Sequence, residues 1–255
     1  MLQDVMYAYG IEAFGVCDMA ALAGHLLPCR AVARLPEGAQ SVIVAVFPYR
    51  FEGEGRRNVS RYAAVPDYHR SAGDVLRHIA ADLSVDGQRY EAFIDNSPIP
   101  EVEAAVRCGL GVRGDNGLLI TPQFGSWVFI GCIVTDARYA CTPSPENSEC
   151  THCGACVAAC PGQCLPGSGR SNCASHLSQK KGTLTSEQER IRRDSGLVWG
   201  CDICQEVCPL NADVDVRPHP CFSWYRPYIT AQDLDDLTDK AYGWRGPFFR
   251  HRLEE

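Results

Sequence analysis

Residues 41–48, Ser-Val-Ile-Val-Ala-Val-Phe-Pro, are apolar at consecutive positions rather than alternate ones and are rich in β-branched side chains. A strand covered on both faces has this pattern, and the run predicts a central strand. Residues 126–134, Ser-Trp-Val-Phe-Ile-Gly-Cys-Ile-Val, repeat it and predict a second buried strand. Shorter strands are expected at 13–17 and 90–94. Between them the period changes: Val75, Leu76, Ile79, Ala80 and Leu83 recur at helical spacing behind Asp67, a favoured cap residue, and Gly87 closes the unit. Helices are also expected over 2–9, over 19–27 behind a capping Asp18, and over 101–108. Pro28 and Pro36 break the chain before residue 41.

The segment Gly109-Leu-Gly111-Val-Arg-Gly114-Asp-Asn-Gly117 is a glycine-rich loop that precedes a strand. The dinucleotide fingerprint follows a strand and opens a helix, so this glycine run instead marks a place where backbone comes close to a cofactor or to another segment. Thr142-Pro-Ser-Pro-Glu146 reads as a linker. Beyond Pro209 the chain is rich in Pro and aromatics, with Trp224, Tyr225, Tyr228, Trp244, Phe248 and Phe249, and one short acidic helix is expected over 230–242. These elements predict an α+β protein: an N-terminal α/β domain over 1–145, a second module over 146–215, and an aromatic-rich tail over 216–255 that packs on the core.

Composition changes this picture little. Of the 255 residues 45% are hydrophobic and 22% charged, as in ordinary soluble domains. The net charge of −7 argues against sequence-independent binding of nucleic acid, which needs clustered cations. The local groups Arg50, Arg56, Arg57, Arg61, Arg70 and Lys180, Lys181, Arg190, Arg192, Arg193 read as solvated faces. The first basic residue is Arg30, so no charged segment leads an apolar one as in a secretory signal. No apolar stretch approaches the about 18 residues of a spanning helix, and no membrane partner is expected.

The chemistry lies in the cysteines, fifteen in all. Cys150-Thr-His-Cys153-Gly-Ala-Cys156-Val-Ala-Ala-Cys160-Pro161 is a C-x₂-C-x₂-C-x₃-C-P run, in which three close thiolates wrap one 4Fe–4S cluster and the fourth reaches a neighbouring one. Cys201-Asp-Ile-Cys204-Gln-Glu-Val-Cys208-Pro209 repeats its end, and Cys173 can supply the missing lead ligand. Counted this way, Cys150, Cys153, Cys156 and Cys208 hold one cluster, and Cys160, Cys173, Cys201 and Cys204 hold the other. Zinc needs four ligands and leaves two C-x₃-C-P ends unexplained. Clusters of this kind are kept under reducing conditions, which disfavours disulfides and points to the cytoplasm. Cys17, Cys29, Cys108, Cys132, Cys141, Cys164 and Cys221 read as small buried hydrophobes, with Cys141 and Cys164 near enough to the first run to be spare thiols beside a cluster. Asp95, at the end of the predicted 90–94 strand and ahead of Asn-Ser-Pro, is either a turn cap or a carboxylate facing a crevice.

The order of these segments resembles the core of the epoxyqueuosine reductases, cobalamin-dependent iron–sulfur enzymes of tRNA modification. The resemblance covers about residues 42–211. It rests on Ser60-Arg-Tyr62-Ala with Asp67-Tyr-His69, Ile94-Asp95 before a Pro, Gly109-Leu-Gly111 with Gly114 and Asn116, Gly125-Ser-Trp with Thr135-Asp136, and both cysteine runs with Cys173 ahead of Leu177. It implies an N-terminal domain of cobalamin-binding type followed by a ferredoxin-like double-cluster module. It also implies base-off cobalamin held by Arg61, Tyr62, Asp95, Asn116, Gly117, Gly125, Ser126 and Trp127, and reduced to Co(I) by the nearer cluster. Asp95 would be the acid for the departing epoxide oxygen, with burial expected to hold its pKa up near the working pH. Partners implied are a low-potential donor of ferredoxin or flavodoxin type and a tRNA or small-molecule substrate. The sequence departs from the family at Asp115, where a basic residue is usual, and at Cys132, where a Glu is usual. Residues up to Glu255 do not include the helical repeats with which the family holds tRNA, so tRNA is the less secure of the two substrates. Two readings of another class stand beside this one: a cobalamin-free electron-transfer protein, and an activator that reduces the corrinoid of a partner.

Overall fold

A computed structural model describes residues 2–53, 55–85, 87–143, 149–167, 169–180, 182–236 and 253. In chain order the first part holds α1 (Leu2–Ala8), β1 (Phe14–Asp18), β2 (Ser41–Pro48), α2 (Tyr68–Leu83), β3 (Tyr90–Ile94), α3 (Glu101–Arg107), the hairpin β4 (Val112–Arg113) and β5 (Leu119–Ile120), and β6 (Val128–Thr135). Four strands form one sheet in the order β1-β2-β6-β3, every pairing antiparallel. All eight positions of β2 are buried, because its side chains enter two cores. Ile43, Ala45 and Phe47 pack with Met6 of α1 and with Leu76, Ile79 and Leu83 of α2. Val42, Val44 and Val46 pack with Ala104 and Ala105 of α3 and with Leu22 on the opposite face. A sheet covered on both sides therefore explains the unbroken apolar run without parallel strands, each large side chain contributing about 1.5–3 kcal/mol on burial.

Helix α2 starts where Asp67 accepts the His69 N–H, as its position ahead of an amphipathic run predicts. It seats on β6 at Gly131, where a Cβ would overlap Leu76. Residues 19–27 differ from expectation: Met19–His25 is a 3₁₀ helix, not an α-helix, although Asp18 does accept from Ala20 N. Only Met19 and Leu22 of that segment are buried, a three-residue spacing that suits the tighter helix. The last strand begins at Val128 rather than residue 126, because Ser126 and Trp127 lead out of the turn closed by the Thr121–Gly125 bridge and the ladder with β2 starts where Val128 meets Pro48.

The second part carries α4 (Ala155–Ala159), α5 (Ala174–Gln179), α6 (Ser186–Asp194) and α7 (Ile203–Glu206); α5 and α6 pack on each other through a small core of Ala174, Leu177 and Ile191. It joins the first part at Trp199, which is fully buried against Val59, Ala63 and Ala64, with Ser60 N–H donating to Trp199 O at 2.9 Å. The following chain returns over the first part: His219 N–H donates to Pro48 O at 2.8 Å, and Phe222 enters the α2 core. Of the expected acidic helix, α8 (Ala231–Asp236) is present. Its continuation to residue 242, the aromatics Trp244, Phe248 and Phe249, and linker residues 144–146 lie outside the described residues.

Candidate iron–sulfur and active sites

Short helices aim the cysteines. Gly154, in the left-handed region at φ 73°, turns the chain after Cys153 into α4, which carries Cys156, and α7 carries Cys204 between Cys201 and Cys208. Cys150, Cys153, Cys156 and Cys208 line one cavity together with Gly114, Asp115, Asn116 and Ile120. Among the other four, burial pushes the Cys204 thiol up, and the charges of Cys201, Cys173 and Cys160 add to it, as does that of Cys156 from the first set. Cys201 is pushed up to about 11, by burial first and then by groups that include Cys173 and Cys160. Thiols close enough to disfavour one another's ionisation in one partly buried space are the donor set that a cluster, by holding them as thiolates, would use. Gly162, in the turn after Cys160, has no room for a Cβ against the Asn172 carbonyl, so that turn lies flat on the segment delivering Cys173.

The two parts of the molecule meet at α7. Asp202, fully buried just before that helix, accepts from Arg57 Nη1 at 2.6 Å and from the Arg61 backbone N–H at 2.9 Å. Glu206 accepts from Arg61 Nη1 at 2.7 Å and also pairs with Arg57. Burial outweighs both arginines at Asp202 and holds its carboxyl at about 6. The Arg61 guanidinium lies 4.7 Å from the centre of a Trp127 ring. Nearby, Ser126 Oγ donates to Gln205 Oε1 at 3.0 Å, and Gly125, at φ 59°, lies against Asn211.

The residues expected to touch a corrinoid thus divide into two groups. Arg61, Gly125, Ser126 and Trp127 are buried in this joint. Tyr62 is half-buried, its hydroxyl accepting from Gln179 Nε2 at 3.0 Å. Asn116 and Gly117 lie half-buried at the tip of the β4–β5 hairpin, Asn116 Oδ1 accepting its own turn's Leu118 N–H at 3.1 Å. Asp95 is exposed.

Asp95 follows β3 at φ 57°, a left-handed conformation that Asp tolerates better than most side chains. Its Oδ2 is 3.1 Å from His69 Nε2, and His69 Nδ1 is 2.7 Å from Asp67 Oδ1, so one imidazole spans two carboxylates. The Asp67 hydrogen bond, then that of Asp95, raises His69 to about 9. The His69 hydrogen bond in turn lowers Asp95, outweighing the burial that raises it. The expectation that burial holds Asp95 protonated is therefore corrected: the proton resides on His69. A second proton sits on Glu101, raised to about 8 by burial and by the Asp95 charge, and its Oε1 accepts the Asp95 N–H at 2.8 Å. The field of Arg170, three residues before Cys173, also reaches Asp95 and lowers it. Sequence reasoning named Asp67 as a helix cap and His69 only within a family motif, and gave neither a part in the chemistry; the available signal was their position at a helix start, where cap and second residue face the same end. It missed Glu101, and it missed the contact of Asp115 Oδ1 with His152 Nδ1 at 2.8 Å beside Cys150.

Residues 30–96 match the family described as epoxyqueuosine reductase QueG, DUF1730, and residues 149–211 match the 4Fe-4S double cluster binding domain. The epoxyqueuosine reductase of Gloeobacter violaceus is 34% identical over 229 residues, covering 84% of this chain and 71% of the relative. The chain belongs to the epoxyqueuosine reductase family. Against the epoxyqueuosine reductase of Lactococcus garvieae it is 36% identical over 171 residues, 65% of this chain and 48% of the relative, so it spans about half the length of that protein. The solved epoxyqueuosine reductase from Streptococcus thermophilus superposes with TM-score 0.74 at 21% identity, covering 99% of this chain and 76% of its own. That from Bacillus subtilis, in a form with its catalytic aspartate loop swung out of the active site, gives 0.76 at 22%, covering 97% and 74%. Another solved epoxyqueuosine reductase, holding a tRNA-Tyr epoxyqueuosine-modified stem loop, gives 0.77 at 23%, covering 97% and 74%. The shared fold is the mixed α+β architecture that the element pattern predicts, and the motif resemblance to the family holds.

Proposed function

We propose that the protein reductively removes an epoxide-type oxygen as water, with electrons delivered through two 4Fe–4S clusters to a bound cobalamin and protons delivered through His69 and Asp95, Asp67 orienting the imidazole. The observation that carries the reading is the imidazole of His69 held between two carboxylates in a chain that also gathers eight cysteines in two sets. The residues suit a corrinoid: Asp95, Tyr62, Asn116 and Gly117 retain exposed surface, and Trp127 Nε1 is a buried donor with no acceptor among the described residues. Arg61, Gly125 and Ser126 would then fix the wall behind it. When bound, cobalamin supplies a metal centre that low-potential clusters reduce to a strong nucleophile.

The chain's own groups supply the rest. Removal of the oxygen as water takes two electrons and two protons: His69, charged near neutral pH, gives its Nε2 proton to Asp95 Oδ2, Asp95 passes it to the oxygen that leaves, and solvent recharges His69 for the second transfer. Asp67 holds the ring orientation through Nδ1, and Glu101 fixes the Asp95 backbone. Electrons would enter from a ferredoxin- or flavodoxin-type donor at the first set, where Cys153 is exposed. Family membership, and the relative solved with a modified tRNA stem loop, support an epoxide carried on tRNA as the substrate class. Among the described residues no helix is long and apolar enough to cross a membrane, and the need for reducing conditions supports a cytoplasmic setting.

Anaerobic reconstitution with iron, sulfide and cobalamin, followed by assay on an epoxyqueuosine-containing stem loop and on the free nucleoside, tests this. Expected are a base-off absorbance shift and turnover of the stem loop. Turnover of the nucleoside alone would limit the substrate to a small molecule. Two clusters without any corrinoid shift up to about millimolar cobalamin would overturn the reductase reading in favour of electron transfer.

A further inference from the structure

Neither set of four uses Cys164, yet it lies against one of them. In Cys160-Pro-Gly-Gln-Cys164 the Gln163 N–H donates to Cys160 O at 3.0 Å, with Gln163 at φ 46°, and this turn brings Cys164 Sγ to 3.6 Å from Cys160 Sγ. The turn has little freedom to move off, because Gly162 is pressed on the Asn172 carbonyl. Cys164 is 8% exposed, and both Cys160 and Cys173 act on it electrostatically. Its sulfur is thus in direct contact with a sulfur of the second set.

We propose that Cys164 tunes the second cluster by donating an S–H hydrogen bond to the Cys160 sulfur. The proposal rests on the assignment of Cys160, Cys173, Cys201 and Cys204 to one cluster. Between two free thiols either sulfur could be the donor, but a Cys160 bound to iron is a thiolate and can only accept. A hydrogen bond to a ligating sulfur stabilises the extra electron of the reduced cluster and so raises its potential. Cys164 is thus a positioning residue of the electron relay, and it eases reduction of the cluster whose Cys173 segment, through Arg170, reaches Asp95.

The test is an anaerobic redox titration followed by electron paramagnetic resonance on wild-type protein and on Cys164→Ala and Cys164→Ser. Cys164→Ala is expected to keep the wild-type iron content while one of two midpoint potentials moves to more negative values. Cys164→Ser, which restores a donor, is expected to bring that midpoint back to the wild-type value or above it. Unchanged midpoints in Cys164→Ala, or a Ser variant that behaves as Ala does, would overturn the hydrogen bond. Loss of half the iron in both variants would also overturn it, making Cys164 a ligand. Failure of the underlying assignment is seen separately, as a wild-type protein with fewer than two clusters or as loss of nearly all iron in the double variant Cys153→Ala with Cys208→Ala.

Discussion

Ser126 and Asn211 form a reciprocal pair: the Ser126 N–H donates to Asn211 Oδ1 at 2.8 Å, and Asn211 Nδ2 donates back to Ser126 Oγ at 2.8 Å. Asn211 also donates to Gln205 O at 2.7 Å, so one buried amide ties the turn before β6 to the end of the cluster module. Asn211→Ala strands buried groups on both sides. A loss of roughly 2–4 kcal/mol is expected in denaturant unfolding of the iron-loaded protein. A change under about 0.5 kcal/mol would mean that water replaces the amide.

Asp95→Asn keeps the shape of the side chain and removes its capacity to relay a proton. Iron content and corrinoid binding should match wild type, while turnover falls by at least about a hundredfold. Turnover within a few-fold of wild type would reduce Asp95 to a turn residue.

The raised pKa of His69 gives a pH signature. The folded value of about 9 lies above the ordinary 6.5, so stability from charged His69 is complete below about 6.5 and fades as pH rises through about 9. Turnover should share that alkaline limb, and Glu101, raised to about 8, titrates in the same window. His69→Gln is expected to lower turnover at neutral pH by at least about tenfold and to remove the upper part of the limb. A pH–rate profile of kcat checks both, and an unaltered profile would exclude His69 as the proton store.

Interlocked clusters predict a crossed effect. Cys208→Ala should remove the cluster held by Cys150, Cys153 and Cys156, leaving about four iron of about eight. The double variant Cys153→Ala with Cys208→Ala should fall no further. A further fall to nearly none would show that each run holds its own cluster.

The strands at 41–48 and 90–94 and the helix behind Asp67 were legible because burial and capping are local in sequence. The double-cluster domain was legible too, in the spacing of the cysteine runs, of which Cys150, Cys153, Cys156 and Cys208 line one cavity. The protonation of Asp95 was not, because it depends on His69, which lies 26 residues away and meets it only across the fold. Arg61, Ser126 and Trp127 were read as cofactor contacts from motif alone. The partners of Arg61 and Ser126, which are Asp202, Gln205 and Asn211, lie beyond the reach of any periodicity, and the pairing appears only once α7 is placed.

The joint at α7 also has a consequence for the order in which the molecule is made. Arg57 and Arg61 leave the ribosome long before Asp202 and Glu206, which are 141 to 149 residues later in the chain. The sheet closes with β6 at Thr135, before any cysteine of either run has been synthesised. A nascent chain therefore carries a finished sheet and an open seam, to which the last cysteines, interleaved with Asp202 and Glu206, bring the missing acids. Metal insertion and closure of the seam then act on the same few residues, so the cysteines remain reachable for cofactor delivery until the last part of the chain docks.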